Sequence, residues 1–322
     1  VDSRGTTVIG AGISGVACAR ALTDAGLAVR VLDRGRRPGG RMGGRTLHGR
    51  PVDLGASYLT VPEGSPFGAV VADWVTRGLA RPWTDTFAVA GPTGLTGTTT
   101  GPLRYGSAGG LRGLVADLAT GLDLAQERTV HRVAARPDGR TAVDGEPVDA
   151  AVLAMPDPQA QRLLDPDGAV PGLGPGAWQP VLAIAVGWSQ RRWPADLHGA
   201  FVHDSPVLDW LADDGDRRGD GAPVLVVHTT SAHAARYLDE PERATAEVVV
   251  AVRVLLGIDA DPEWTHVHRW SFARPAHPRE EPFALTGRVG VCGDGWAAPP
   301  RVESAWRSGT ALGAELARHL AA

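Results

Sequence analysis

The stretch "TTVIGAGISGVACARALTDAGLAVRVLD", residues 6–33, divides into strand, glycine turn, helix and strand. Thr7–Ile9 is short and apolar, as a central parallel strand buried on both faces should be. Apolar residues then recur at Ile13, Val16, Ala17 and Leu22, close to helical spacing, and Gly26 supplies a stop. The second strand, Ala28–Leu32, ends at Asp33. Between strand and helix stands Gly10-x-Gly12-x-x-Gly15. Only glycine permits so tight a turn with backbone close enough to touch a pyrophosphate. The helix start then offers unpaired N–H groups and about half a positive charge to the phosphates. Asp33 lies eighteen residues past Gly15, placed to accept from ribose hydroxyls and to repel a 2′-phosphate. The arrangement predicts a dinucleotide site on a doubly wound α/β domain.

The next segment, "RGRRPGGRMGG" (34–44), adds a second phosphate signal. Gly39-Gly40 lets backbone approach the cofactor, and Arg41 can hold a phosphate by charge-assisted hydrogen bonds. From Pro62 to Gly110 the chain is rich in Gly, Pro and Thr and shows no long periodic segment. Leu111–Leu122 reads as a helix, and Val130–Val133 and Ala150–Met155 as strands returning to the first sheet. After Pro156 the character changes. Residues 180–188, 199–204, 207–212, 223–230 and 263–272 are strand-like and closely spaced, which predicts a mostly antiparallel sheet. A helix over about Glu242–Leu256 separates the last two. "ADDGDRRGDG" (212–221) reads as an exposed acidic turn. A closing helix, Val302–Leu320, sets Val302, Ala305, Trp306, Gly309, Leu312, Leu316 and Leu320 along one face. The expected organisation is a discontinuous cofactor domain (1–60, 105–155 and 280–322) interrupted by a substrate domain of sheet plus helix (61–104 and 156–279).

Composition narrows the function. The chain has 322 residues, 43% hydrophobic and 21% charged, with a net charge of -4, so no basic footprint points to nucleic acid. No apolar run approaches the length of a membrane span, and the first residues lack the layout of a signal peptide. With two cysteines, Cys18 and Cys292, and no CxxC pair, neither a disulfide framework nor a zinc site is expected. The expectation is a cytoplasmic protein, a monomer or weak homodimer. Every basic residue other than histidine is Arg, so no mechanism needing a lysine amine is available. His266, His268 and Trp270 share one face of their strand. With no nearby acid or third ligand, the two histidines read as an exposed sheet face rather than a metal site. A planar aromatic such as Trp270 can sandwich a flat ring. Cys292 reads as a small buried hydrophobe.

The two glycine-rich stretches resemble those of flavoproteins with two dinucleotide-binding domains, whose motif runs R-x-G-G-R-x-x-S/T. Arg37, Gly39, Gly40 and Arg41 match, and Gly44 stands where that motif has a hydroxyl. The resemblance implies FAD, held without a covalent bond. Its contacts would include Gly10, Gly12, Ile13, Ser14, Gly15, Asp33, Arg34, Gly40, Arg41 and Val130. In such flavoproteins a late Gly-Asp binds the ribityl chain, which assigns that role to Gly293 and Asp294. Arg301 and Val302 then begin a helix aimed at the flavin.

A narrower resemblance covers nearly the whole chain. "DLGASYLT" (53–60), "AMP" (154–156), "LVVHTTSAHAARYLDEP" (225–241), "HRWSFARP" (268–275) and "CGDGW" (292–296) are similar to the corresponding stretches of renalases. This implies an oxidase that takes hydride from 1,2- or 1,6-dihydro-NAD(P), forming NAD(P)+ and hydrogen peroxide. Its partners would be a small dinucleotide substrate and molecular oxygen. It places Trp270, His228 and Phe201 at the substrate, with Phe201 where animal renalases have tyrosine and Ser57 where the family often has Gln. Arg274 and Arg301 are candidates for the substrate pyrophosphate. The alternatives are an FAD-dependent amine oxidase, a flavoprotein desaturase or isomerase acting on an apolar substrate, and an FAD fold kept only for binding.

Overall fold

Thr6–Ile9 is buried along its whole length and has a parallel partner on each side. It pairs with Val29–Leu32 from Thr6↔Val29 to Ile9↔Leu32, and with Ala150–Leu153 from Thr6↔Ala150 to Ile9↔Leu153. The computed structural model describes residues 5–136, 140–165, 170–174 and 178–321. The chain divides into two compact units, each assembled from separated segments.

Unit 1 comprises Val1–Arg41, Val115–Trp178 and Arg274–Ala322. Its six-stranded sheet runs in the order Ala284–Thr286, Val289–Val291, Ala150–Leu153, Thr6–Ile9, Val29–Leu32, Asp123–Ala125. All neighbours are parallel except the antiparallel edge Ala284–Thr286. The helix Ile13–Asp24 packs against the final helix, Val302–Ala321, through glycine. A β-carbon on Gly309 would lie 1.9 Å from the Ser14 carbonyl oxygen, so only glycine allows that crossing. The buried face of the final helix includes Ser304, Ala305, Ser308, Gly309, Leu312 and Leu316, whereas Trp306 and Leu320 are only partly covered.

One expected strand belongs elsewhere. Val133–Ala135 does not return to the large sheet but pairs with Thr141–Val143, which pairs in turn with Glu146–Val148. Asp144 and Gly145, at positive φ (49° and 86°), make the two-residue turn between the last two, and Asp144 Oδ1 accepts from His131 and Arg132 N–H at 2.9 and 2.8 Å, tying the preceding strand to that hairpin. The expected helix at 111–122 stops at Leu118.

Unit 2 comprises Met42–Leu114 and Gln179–Ala273. Residues 42–60 and 105–114 therefore belong with the substrate-side sheet, and 156–178 and 274–279 with the cofactor side. Its eight-stranded sheet runs Trp264–Pro275, Trp178–Gly187, Val224–Thr229, Leu208–Asp213, Gly199–Val202, Arg81–Gly91, Gly94–Gly106, Leu59–Thr60. Alternation sends Leu182, Ile184, Val186, Leu225 and Val227 to one face, where the helix Thr245–Leu256 covers them with Val248, Val252 and Leu255. Ala183, Ala185 and Val226 lie on the other face.

The segment 62–110 does contain regular structure: a helix, Phe67–Thr76, and the long hairpin Arg81–Gly91/Gly94–Gly106. Much of the hairpin is exposed threonine and glycine, so it carries no apolar alternation to read. The stretch expected as an exposed acidic turn, 212–221, is neither exposed throughout nor a turn throughout. Asp214–Arg218 is a short helix whose Asp214, Arg217 and Arg218 are buried, as is Asp213 before it.

Candidate functional site

The turn in unit 1 is built by contacts that leave no room for side chains. A β-carbon on Gly15 would lie 1.9 Å from the Gly10 carbonyl oxygen, and one on Gly10, at φ 109°, would lie 2.6 Å from that of Ala154. Gly12 caps the helix with no side-chain hydrogen bond, so the first-turn N–H groups keep their donor capacity. The loop that follows Asp33 folds back on this turn. Gly39 N–H donates to the Ala11 carbonyl at 2.8 Å, and a β-carbon on Gly40 would come within 3.1 Å of the Gly12 α-carbon. Asp33 ties the two together: Oδ2 accepts from Ala11 N–H and Oδ1 from Gly35 N–H, both at 2.6 Å. Each carboxylate oxygen keeps a further lone pair for a hydroxyl.

Arg41 and Asp294, 253 positions apart, meet as a two-pronged ion pair, Nη1 to Oδ2 at 2.8 Å and Nη2 to Oδ1. The Arg41 guanidinium also lies 5.1 Å from the Trp178 ring centre. Gly293 N–H donates to Ser308 Oγ at 3.0 Å, fixing the Gly-Asp-Gly loop to the final helix. Arg279 holds the other side of the loop. Its N–H donates to the Gly295 carbonyl at 2.9 Å, its Nη2 bonds Asp157 Oδ2 at 2.5 Å, and its guanidinium lies 4.2 Å over Trp296. Burial raises the Asp157 carboxyl pKa despite Arg279. Val302 begins the final helix, Ile13 is buried, and Arg34 and Arg301 are exposed. Val130 sits in the apolar core with Ile9, Val133 and Leu153.

A dinucleotide fits this arrangement. Ser14 Oγ is buried in the turn with no hydrogen-bond partner, an orphan that a phosphate oxygen would satisfy. Gly12 and Gly40 present bare backbone beside it. Arg41 and Asp294 supply the charged groups that a pyrophosphate and a polyol chain require.

In unit 2 three strands place a row of rings side by side. Phe201 pairs with Trp210, Trp210 with His228, and His228 with Ala183. The Phe201 and Trp210 centroids are 4.9 Å apart, and Phe87 stands edge-on to both at 5.7 and 4.7 Å. Trp210 Nε1–H donates to Ser57 Oγ at 3.0 Å, so Ser57 orients that ring. The Arg104 guanidinium lies 4.2 Å over Phe87. Trp270 packs with Ala183, Ala185 and Val226, and its Nε1–H donates to the Leu54 carbonyl at 2.7 Å. Phe201 and His228 are thus joined in one row, and Trp270 packs on the Ala183 that ends it. Burial, then Arg45, His266 and Arg112, lower the His268 pKa to about 4, so it is neutral at pH 7.

Sequence reading did not single out Trp210, Arg104 or Arg279. Trp210 could have been found, since it is the aromatic member of an alternating strand next to His228. No group of three or more metal-ligating side chains occurs among the described residues. Cys292 and Cys18 are both buried and free, and the Cys292 thiol and burial push the Cys18 pKa well up. Arg274 is exposed. No helix among the described residues is long and apolar enough to cross a membrane.

Comparison with known proteins agrees with this geometry. Residues 8–74 match an NAD(P)-binding Rossmann-like domain, and residues 88–312 match the flavin containing amine oxidoreductase domain. Polyamine oxidase 4 of Oryza sativa subsp. japonica is 54% identical over 52 residues, 16% of this chain and 11% of that protein. The matched stretch therefore spans about a tenth of that relative's length. Cyclohexylamine oxidase from Brevibacterium oxydans IH-35A superposes with a TM-score of 0.74 at 13% identity, over 99% of this chain and 100% of that one. A fatty acid isomerase from P. acnes superposes with a TM-score of 0.69 at 12% identity, over 97% and 98%. An oxidase and an isomerase share the architecture, so the fold does not choose the reaction. The match over 88–312 spans well over half of the chain, and the turn and loops fit a dinucleotide: the protein belongs to the flavin containing amine oxidoreductase family, with FAD as its cofactor.

Proposed function

We propose that this protein is an FAD-dependent oxidase that takes hydride from a carbon bonded to nitrogen, with a small amine as the donor. The family match over residues 88–312 carries this reading, together with the intact phosphate turn and the Arg41–Asp294 pair. When bound, FAD accepts the hydride and returns the electrons to oxygen as hydrogen peroxide. The contribution of the chain is to hold cofactor and donor in place. The glycine turn and Arg41 bind phosphates, Asp294 binds the polyol, and the ring row of unit 2 presents flat apolar surface to the donor. Buried Cys292 offers no attachment point, which supports non-covalent binding, and two unpaired thiols suit the cytoplasm.

A second donor, a 1,2- or 1,6-dihydronicotinamide of the renalase type, shares this chemistry because its reacting carbon is also bonded to nitrogen. Two observations favour it. The chain has no lysine to hold a water near the flavin, as amine oxidases typically do, and Phe201, Trp210 and Trp270 are suited to a flat ring. Its pyridinium product forms without loss of a proton, so a histidine as weakly basic as His268 is no handicap.

The test is anaerobic mixing of the yellow protein with a panel of amines and, separately, with NAD+ reduced non-selectively by borohydride. Bleaching of the flavin band by an amine, with peroxide on admitting air, supports the first donor. Bleaching by the borohydride mixture but not by 1,4-NADH supports the second. No bleaching by either rejects both.

A further inference from the structure

The hairpin Gly44–Leu47/Arg50–Asp53 packs over one face of the strand Trp264–Pro275. His48, just past its first strand, stacks on Trp264 with ring centroids 4.4 Å apart. Leu54, just past its second, accepts the Trp270 hydrogen bond, and Leu47 packs in the cluster that Trp264 and Trp270 join. Strand alternation puts His266 and His268 on that face between the two tryptophans, and the His268 ring meets the Trp270 ring at 4.4 Å. Arg45 is two residues from Leu47 in its strand and projects from the same side. Arg112 donates to the Gly44 carbonyl at 2.8 Å, one residue away.

Two features of this group are unexplained by the fold. Arg45 is exposed and makes no ion pair among the described residues. His266 Nε2 is buried without a hydrogen-bond partner. A buried polar nitrogen left unsatisfied is costly, and the unpaired Arg45 guanidinium supplies a positive charge near it. We propose that Arg45, His266 and His268 form an anion-binding site that takes a phosphate group. Arg45 acts on both histidines, His266 and Arg112 act on His268, and Glu242 is the opposing acid at His266. An incoming dianion would reverse the sign of that field, draw protons onto the imidazoles and gain donors from all three side chains. The site is independent of which donor the enzyme oxidises. Free phosphate and the phosphate of a nucleotide present the same chemistry to it.

The test titrates the FAD-loaded protein with inorganic pyrophosphate and with ADP-ribose by calorimetry, while NMR follows the histidine ring protons. FAD occupies its own phosphate turn throughout. Saturable binding is expected, weakened by about tenfold or more in Arg45→Gln, with the His268 pKa moving up from about 4 as ligand binds. Arg45 is exposed, so the variant should fold, which circular dichroism checks. Tighter binding of ADP-ribose assigns the site to a nucleotide phosphate, and equal binding to a free anion. Absence of saturable binding up to about 10 mM, an Arg45→Gln affinity equal to wild type, or histidine resonances that do not move would each overturn the site. Because no turnover is measured, these outcomes stand apart from the amine and dihydronicotinamide test.

Discussion

Two glycines of the same turn are expected to fail in different ways. A β-carbon on Gly15 would collide with the Gly10 carbonyl at 1.9 Å, whereas one on Gly12 would meet nothing nearer than the Gly40 α-carbon at 3.9 Å. Gly15→Ala should therefore lose the turn itself, seen as poor soluble yield and loss of flavin absorbance. Gly12→Ala should fold normally by circular dichroism yet bind FAD at least tenfold more weakly, about 1.4 kcal/mol, because the new methyl stands where backbone should meet phosphate. At the ring row, Trp270→Ala should slow anaerobic flavin reduction by about tenfold or more if orientation of the donor is its role; an unchanged rate would remove it from the site. The pH behaviour of His268 follows from its depressed pKa of about 4. Between that value and the ordinary range near 6.5, the unfolded chain binds the proton that the folded protein refuses. Stability from this group is complete above the unfolded pKa and falls as the solution is acidified towards pH 4. His268→Gln should flatten that part of a melting-temperature profile. Residues of the phosphate turn were legible because their constraint is local: glycine spacing, a strand before and a helix after. Arg279 was not, because its partner Asp157 lies 122 positions away, and although alternation could reach Trp210, its partner Ser57 lies 153 positions away.

At the scale of elements, the short helix Asp214–Arg218 is the sharpest departure from expectation. Its charges are buried because each has a partner of opposite sign. Arg217 and Arg218 reach both Asp214 and Asp53, and Arg50 bonds Asp214 at 2.7 Å. Burial pushes the Asp53 carboxyl up, while at Asp214 three arginines overcome burial and hold the pKa below its usual value. Arg217 Nη1 also donates at 2.7 Å to the carbonyl of Ser57, the residue whose hydroxyl orients Trp210. Asp214→Asn should cost about 3–5 kcal/mol in urea denaturation, since it leaves buried guanidinium groups uncompensated. The half-exposed Asp220→Asn, at the rim of the same network, should cost less than about 1 kcal/mol. Strand alternation made the substrate-side sheet readable from 178 onward, since its strands bury one face under a helix. The threonine-rich hairpin at 81–106 and the charged helix carry no apolar period, so their structure could not be read from pattern alone.

On the scale of the whole molecule, the alternation of a Rossmann-type unit with an antiparallel one was legible, but its cut points were not. The small hairpin that ends at Asp53 joins the second unit through side-chain contacts, the Arg218–Asp53 ion pair among them, that no composition shift announces. Because FAD should bind only the folded chain, it should raise stability by about 2.7 kcal/mol at a hundredfold excess over Kd. Hydrogen exchange should slow first in the turn, in the Asp294 loop and where Gly309 meets Ser14. That helix crossing also fixes an order of events during synthesis. The helix that buttresses the phosphate turn is made nearly three hundred residues after it. At ribosomal speeds this is a wait of roughly 15–60 s. Until then the nascent chain can neither close its nucleotide cradle nor retain the flavin. The yellow colour of the protein should arise only once the Val302–Ala321 helix has emerged, with chaperones guarding an unfinished sheet in the interval.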